Sequence, residues 1–271
     1  MNFIINKLLR RPFFRGQDRI FNFLFKNKFL QKGILIGHPL LGNFKISCDT
    51  NSWIGSRIIY LGDYEGFIKE QFKTYISTGD TVLDIGANIG FHSLYFSELV
   101  GSGGKVICFE PVLTNFNKLK SNIILNQAEN IWPHNIALGN KNENISIAAD
   151  ENSTNPGSFN LFERGGDEEI ICRIGDEVLA REKVNFIKID VEGYESYVIG
   201  GLIETITNNR PKILFEYDPN YIVKSGLPKD YIFKLLSSLN YSFLFIYGNR
   251  IKKVEKFDDM LTGDILALPN E

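Results

Sequence analysis

The ten residues TVLDIGANIG, at positions 81–90, leave few folds open. Thr81, Val82, Leu83 and Ile85 form a short apolar and β-branched run that reads as a buried strand. Gly86 and Gly90 then bracket a tight loop, and FHSLYFSELV follows as a helix ending at Gly101. A buried strand that turns through glycines directly into a helix is the first half of a β-α-β unit. Such units close as right-handed crossovers between parallel strands. The same order recurs downstream. KVICFEP (105–111) is a second strand closed by Pro111, residues 114–127 are a helix with Thr114 as N-cap, and IWPHNIAL (131–138) is a third strand that Pro133 confines to a sheet edge. NFIKID (185–190), a helix over 194–209 and KILFEY (212–217) continue the pattern, followed by a helix from Pro228 to about Leu239. SFLFIYG and GDILALP supply two last strands with only a loop between them, so they are expected to pair antiparallel. The fold class expected is α/β: a Rossmann-like open sheet, mostly parallel, with an antiparallel last strand and helices on both faces.

Residues 1–62 are expected to form an N-terminal extension and residues 63–271 the main domain. Residues 1–32 read as one or two short helices broken by Pro12 and Gly16, and NFKISCD and SRIIYLG as strands of a hairpin or small sheet. YEGFIKEQFKTYI (64–76) has apolar residues at helical spacing, and residues 139–175 read as an inserted hairpin or a mobile loop. The 271 residues, 44% hydrophobic, suit one large domain with a substantial core. A net charge of −2 argues against nucleic acid as a partner. Cys48, Cys108 and Cys172 form neither a disulfide framework nor a zinc cluster, and a reducing, cytoplasmic setting fits them. No apolar run is long enough to span a membrane. The basic, amphipathic first 29 residues lack the continuous apolar core of a signal peptide. Two readings stand for them: contact with an anionic membrane surface, at the inner face, or packing of their Phe, Ile and Leu face on the main domain. FNFLFKNKFL serves either an interface between subunits or an intramolecular contact, so the oligomeric state stays open.

In an open parallel sheet, ligands bind at the carboxyl ends of the strands, where the strand order reverses. The loop from Asp84 to Gly90 lies at such an end. Gly86 can adopt positive φ and leave room for a ligand beside its backbone, and Gly90 lets the next helix start close to the strand. Glu110 ends the second strand, placed to accept hydrogen bonds from both ribose hydroxyls of an adenosine cofactor. A dinucleotide loop would carry G-x-G-x-x-G, but Asn88 holds the place of the middle glycine, and no P-loop occurs. Asp84 would repel a pyrophosphate and suits a positively charged amino-acid end. The cofactor that fits is S-adenosylmethionine, with loop N–H groups taking its carboxylate and nearby acids its ammonium and sulfonium. An NAD-dependent oxidoreductase or epimerase is the second reading, and a non-catalytic scaffold that binds the same cofactor is the third.

The stretch GDTVLDIGANIGFHSLYFSELVGSGGKVICFEP resembles the FkbM family of S-adenosylmethionine-dependent methyltransferases, and so does NFIKIDVEGYESYVIGGL. YLGDYE (60–65), NIALGN (135–140) and RPKILFEY (210–217) fall where that family has similar blocks. The resemblance runs over residues 57–217, with the fold of a class I methyltransferase. It implies methyl transfer to oxygen, often on a sugar or polyketide-like hydroxyl. It also implies cofactor contacts for Asp84, Gly86, Ala87, Asn88, Gly90 and Glu110 with the adjoining Pro111. Asn135 and Ile136 are then placed to meet the adenine, and Glu65 the amino end of the cofactor. The plain alternative for Glu65 is an acid at a helix N-terminus.

A hydroxyl is a poor nucleophile until its proton is accepted, so a base is needed beside the transferable methyl. KIDVEGYE offers one: Asp190 ends the fourth strand at the ligand edge, Glu192 lies just beyond, and Gly193 permits a sharp turn. Asp190 is assigned as base or acceptor holder, with Glu192 assisting, while Glu195 reads as a helix cap. Asp190, Glu192 and Glu216 are oxygen ligands that would suit Mg²⁺, but no metal set is assigned. His92 reads as packing beneath the loop, and Tyr194, Tyr197, Tyr217 and Trp53 as core or rim. The acceptor expected is a small molecule or glycan, with the methylated hydroxyl on a sugar or lipid-linked saccharide.

Overall fold

Side chains on a strand alternate between its two faces, and here both faces of the central sheet are covered. Leu83, Ile85, Ile107, Phe109, Ile187, Ile189, Ile213 and Phe215 enter one buried layer. Their alternates Val82, Val106, Cys108, Phe186 and Leu214 enter the other. The computed structural model describes residues 9–10, 14, 16–147, 165–166, 168–257 and 262–271.

In chain order the elements begin with α1 (Gln17–Lys26), β1 (Ile34–Gly37), β2 (Ile46–Asp49), α2 (Trp53–Leu61) and α3 (Gly66–Tyr75). The sheet proper starts with β3 (Thr81–Ile85), α4 (Phe91–Val100), β4 (Lys105–Phe109), α5 (Leu113–Asn126) and β5 (Ile131–His134). A small sheet follows, built from β6 (Ala137–Gly139), β7 (Glu143–Ile147) and β8 (Glu168–Ile174). Then come α6 (Gly175–Leu179), β9 (Phe186–Ile189), α7 (Glu195–Gly200), α8 (Ile203–Asn209) and β10 (Lys212–Tyr217). The chain ends with α9 (Pro219–Lys224), α10 (Tyr231–Ser238), β11 (Tyr241–Tyr247), β12 (Arg250–Lys253) and β13 (Gly263–Pro269). The central sheet runs β12-β11-β13-β10-β9-β3-β4-β5. Strands β10, β9, β3, β4 and β5 are parallel, and β13 is antiparallel to both β10 and β11. This is the class I methyltransferase order expected from the resemblance. The chain leaves β3 toward β4 and β5, then returns to its other side at β9. The carboxyl ends of β3 and β9 therefore form the switch point where such sheets bind ligands.

Several local expectations are corrected. Residues 57–62, read as a strand, lie in helix α2: the Ser52 side chain caps it by accepting from Gly55 N, and Gly62 closes it at φ 86°. Thr114 is not the N-cap of α5. Val112 holds that place, and the first free N–H groups go to carboxylates, Val112 N to Glu110 and Leu113 N to Glu168. Residues 131–138 split between two sheets, because the Asn135 side chain donates to the carbonyls of Glu110 and Pro111 and turns the chain off the edge. The helix over 194–209 breaks at Gly201, where a Cβ would sit 1.8 Å from the Gly139 carbonyl oxygen. The insertion is a hairpin, with β7 and β8 antiparallel; its tip falls outside the described residues.

The extension is not separate in packing. Leu9, Phe21, Phe44, Ile46 and Ile58 share one buried layer with Val82, Leu94 and Phe96 of the domain. A buried ion pair helps to fix the join: Lys69 Nζ lies 3.2 Å from Asp63, donates to the Leu41 carbonyl, and sits over the ring of Phe91. Much of the expected N-terminal helical stretch, residues 1–8 and 11–13, lies outside the described residues. Among the described residues no helix is long and apolar enough to cross a membrane.

Candidate active site

The largest concave site opens at the carboxyl ends of β3, β4, β9 and β10 and at the amino end of the antiparallel β13. Among the sequence candidates, Glu65, Gly86, Ala87, Asn88, Glu110, Pro111, Ile136, Asp190 and Glu192 line it. Asp84, Gly90 and Asn135 do not; they support the wall from behind. Asp84 is fully buried and accepts from Ser93 Oγ at 2.5 Å. Gly90 caps α4 at φ 88°, with Leu119 where a side chain would be. Asn135 holds the backbone after β4 by its two donated bonds.

The glycine loop serves the chain itself more than the sequence suggests. Gly86 has φ 83°, and a Cβ there would lie 1.9 Å from the Asp190 carbonyl oxygen, so the space is taken by the neighbouring strand end. The N–H groups of Gly86 and Ala87 both donate to the Phe109 carbonyl, that of Asn88 to Glu110, and that of Gly90 to Ala87. Those four amides are therefore engaged within the fold, and the expectation that they grip a cofactor carboxylate is corrected.

Glu110 is the acid the loop organises. It is buried, with Oε2 accepting from Asn88 N at 2.8 Å and Oε1 from Val112 N at 3.0 Å. Burial pushes its carboxyl up to about 7 against the pull of these bonds. A carboxylate offers about four lone-pair directions, so each oxygen can still accept one hydroxyl.

Deeper in, one cation stands among acids. Lys188 Nζ is 3.1 Å from Asp190 Oδ2 and 3.8 Å from Asp84 Oδ1. Burial would lower its basicity, but Asp190, Asp84 and Glu65 outweigh that and raise it. Asp84 Oδ1 is buried without a hydrogen-bond partner. Glu65 pairs with His92 Nε2 at 3.1 Å. Burial works to raise its carboxyl, and the bond to His92 with the charges of His92 and Lys188 brings it below its usual value. His92 itself packs among Phe72, Phe91 and Phe96, as the sequence reading expects.

On the far side the acids are less well matched. Burial and the charge of Asp190 push Glu192 up to about 7 and, with Glu195, Glu192 and Asp264, push Glu216 up to about 9. Burial with Glu65 and Asp190 pushes Asp264 up to about 7. Glu195 caps its own turn, accepting from Val191 N and Gly193 N. Three non-glycine residues of the wall hold positive φ: Glu65 at 57°, Asn88 at 50° and Glu192 at 51°. Such strain gathers at functional sites. The sequence reading missed Tyr64 and Asp264 and considered Glu216 only as a metal ligand. The signal for Asp264 is its register: it faces Glu216 across the β10–β13 ladder.

Comparison with known proteins agrees with this placement of the site. The family model for the methyltransferase FkbM domain matches residues 84–250. A curated relative, "Methyltransferase 1" of Beauveria bassiana (strain ARSEF 2860), is 25% identical over 146 residues, 45% of this chain and 57% of its own length. A crystal structure of methyltransferase FkbM from Methylobacillus flagellatus KT is similar at TM-score 0.45 and 15% identity, over 78% of this chain and 52% of that one. A structure of an S-adenosylmethionine-dependent O-methyltransferase from Thermotoga maritima is similar at TM-score 0.42 and 15% identity, over 90% and 80%. The chain thus spans little more than half the length of the first two relatives. Because the family model covers both the glycine loop of β3 and the acid-rich turn after β9, the chain belongs to the FkbM family of S-adenosylmethionine-dependent methyltransferases.

Proposed function

We propose that this chain transfers a methyl group from S-adenosylmethionine to a hydroxyl oxygen of a sugar, in a glycan or a lipid-linked saccharide. The observation that carries the reading is Glu192, a carboxyl in the cleft wall pushed up to about 7, next to an Asp190 already committed to Lys188. A base works best when its proton affinity lies near the operating pH. Glu192 therefore takes the hydroxyl proton, and Asp190, its charge balanced by Lys188, holds the acceptor. Glu216 and Asp264 extend the same wall and suit the hydroxyls of a polyol.

The cofactor's place follows from the donor set. Glu110 keeps a free lone-pair direction on each oxygen for the ribose, and Pro111, Val112 and Ile136 offer an apolar surface for the adenine. Glu65 and Asp190 stand where a positive amino end is favoured. When bound, the cofactor supplies an electrophilic methyl on a sulfonium. Glu110→Ala removes two ribose acceptors, each charged bond contributing about 1.5–3 kcal/mol. Affinity for S-adenosylhomocysteine is expected to fall by about 10²–10⁴-fold in isothermal titration, the product of two such losses.

The test of the chemistry is a mass-spectrometric methyl-transfer screen of saccharide acceptors with the parent and Glu192→Gln. A base must be deprotonated, so kcat of the parent rises as pH passes upward through about 7. Glu192→Gln is expected to lower kcat by about 10²–10⁴-fold and to remove that ionisation. Cofactor affinity should stay within a few-fold. Full activity in this variant, or methyl groups found on nitrogen or carbon, would overturn the reading.

A further inference from the structure

The geometry points to helix α1 as a docking face for an anionic lipid bilayer. The helix divides into two sides. Its inner side holds Phe21, fully buried, and Phe25, stacked on it with ring centroids 6.0 Å apart. Asn22 accepts from the Trp53 indole at 3.1 Å, and Asp18 pairs with Arg57 at 2.8 Å. These contacts join α1 to α2 and neutralise the only acid of the helix.

The outer side is different. Ile20 and Phe23 lie three residues apart, on one face, and are 41% and 61% exposed. Phe29, 48% exposed, extends this surface, its ring 6.2 Å from that of Phe23. Arg19 and Lys26 are exposed and lie four residues before and three after Phe23, so they border the same stripe. An apolar stripe bordered by basic residues is the pattern of a helix that lies in a membrane interface, its apolar side among the acyl chains and its cations at the headgroups.

Charge selects the occupant. Residues 1–62 carry ten Lys and Arg against two Asp and no Glu, while the whole chain has a net charge of −2. The positive charge is thus concentrated on the extension, on the side that also exposes Phe23 and Phe29. Two copies of this face would repel each other, which argues against a symmetric dimer through it. A bilayer containing anionic lipid satisfies both the cations and the apolar stripe. This was one of two readings of the N-terminal sequence. The described part combines them: one side of α1 packs on the domain, and the other remains for a surface.

The test is co-sedimentation of the full chain with vesicles of phosphatidylcholine alone or with 30% phosphatidylglycerol, a composition of about one anionic lipid in three. Binding is expected only to the anionic vesicles, weakened several-fold between about 0.05 and 0.5 M salt as the Debye length shrinks. The double variant Phe23→Ser/Phe29→Ser should reduce binding at least tenfold, and Arg19→Gln/Lys26→Gln should remove its salt dependence. All four positions are exposed, so an unchanged circular dichroism spectrum and melting temperature will show that the variants fold. Equal sedimentation with neutral and anionic vesicles, no sedimentation with either, or binding untouched by both variants overturns the proposal. So does a concentration-dependent oligomer that Phe23→Ser/Phe29→Ser disperses, since the face would then belong to a second copy.

Discussion

A chain carrying Gly86→Ala is expected to lose about 2–5 kcal/mol of stability, and cofactor binding with it. Part of the loss is backbone strain: Gly86 has φ 83°, where a side chain costs about 1–2 kcal/mol. The larger part is contact. The new Cβ would lie 1.9 Å from the Asp190 carbonyl oxygen, 2.9 Å from its carbon and 3.2 Å from Val191 Cγ1. Two of these atoms are backbone, so no rotamer change relieves them. Asp190 N donates to the Ile85 carbonyl at 3.0 Å, which ties the two strand ends together just where they would have to separate. Overpacking of that kind costs about 1–3 kcal/mol or more. Gly79→Ala separates the two terms, because Gly79 has a similar φ of 88° with nothing within 4 Å of its Cβ. Urea denaturation of both variants, with titration of S-adenosylhomocysteine, is the measurement. Equal losses in the two would mean that the contact with Asp190 contributes nothing.

That example shows what could be read from the sequence and what could not. The need for a glycine at 86 is legible from a strand running into a tight loop, but its neighbour is not, because Asp190 reaches it only after two crossovers and the inserted small sheet. The parallel core was legible because TVLDI, KVICF, FIKI and KILFEY are continuous apolar or β-branched runs bounded by Gly, Pro or Asp. The same cue misled at 57–62. Ile58, Ile59 and Tyr60 favour a strand, yet the Ser52 cap and burial on the domain make a helix of them. Glu110, Asp190 and Glu192 were accessible because they end or follow recognisable strands on the ligand edge. Asp264 was not. It begins a strand, and only the antiparallel direction of β13 brings that beginning to the edge where the parallel strands end. Tyr64 gave no periodic signal either, since it precedes α3 and reaches the cleft through the turn at Glu65.

Lys188→Met should cost about 3–5 kcal/mol, the usual loss when one partner of a buried pair is removed. Methionine keeps the length and the apolar stem, so the loss is of charge and not of volume. The parent Lys188 side chain is only 5% exposed, with Asp190 at 3.1 Å and Asp84 at 3.8 Å. Its folded-state basicity is raised, so its contribution is fully present below its ordinary value of 10.5 and is lost only as pH rises beyond that. Removing it leaves Asp84, fully buried, and Asp190 without a cation between them. The parent already shows the direction such groups take. Glu192, Glu216 and Asp264 are pushed up to about 7, 9 and 7, so the folded chain binds protons that the unfolded chain releases near its ordinary carboxyl values. The stability due to these three is therefore present at low pH and falls as pH rises through 7 and toward 9. Lys188→Met places Asp84 and Asp190 in the same position, since burial and like charge both favour their protonated forms. The gap between parent and variant should therefore be widest above about pH 7 and narrow toward about pH 5, where these carboxylates take up protons. Urea denaturation at three pH values across that range measures it. A gap that stays constant with pH would mean that Lys188 stabilises the cleft by packing and not by its charge.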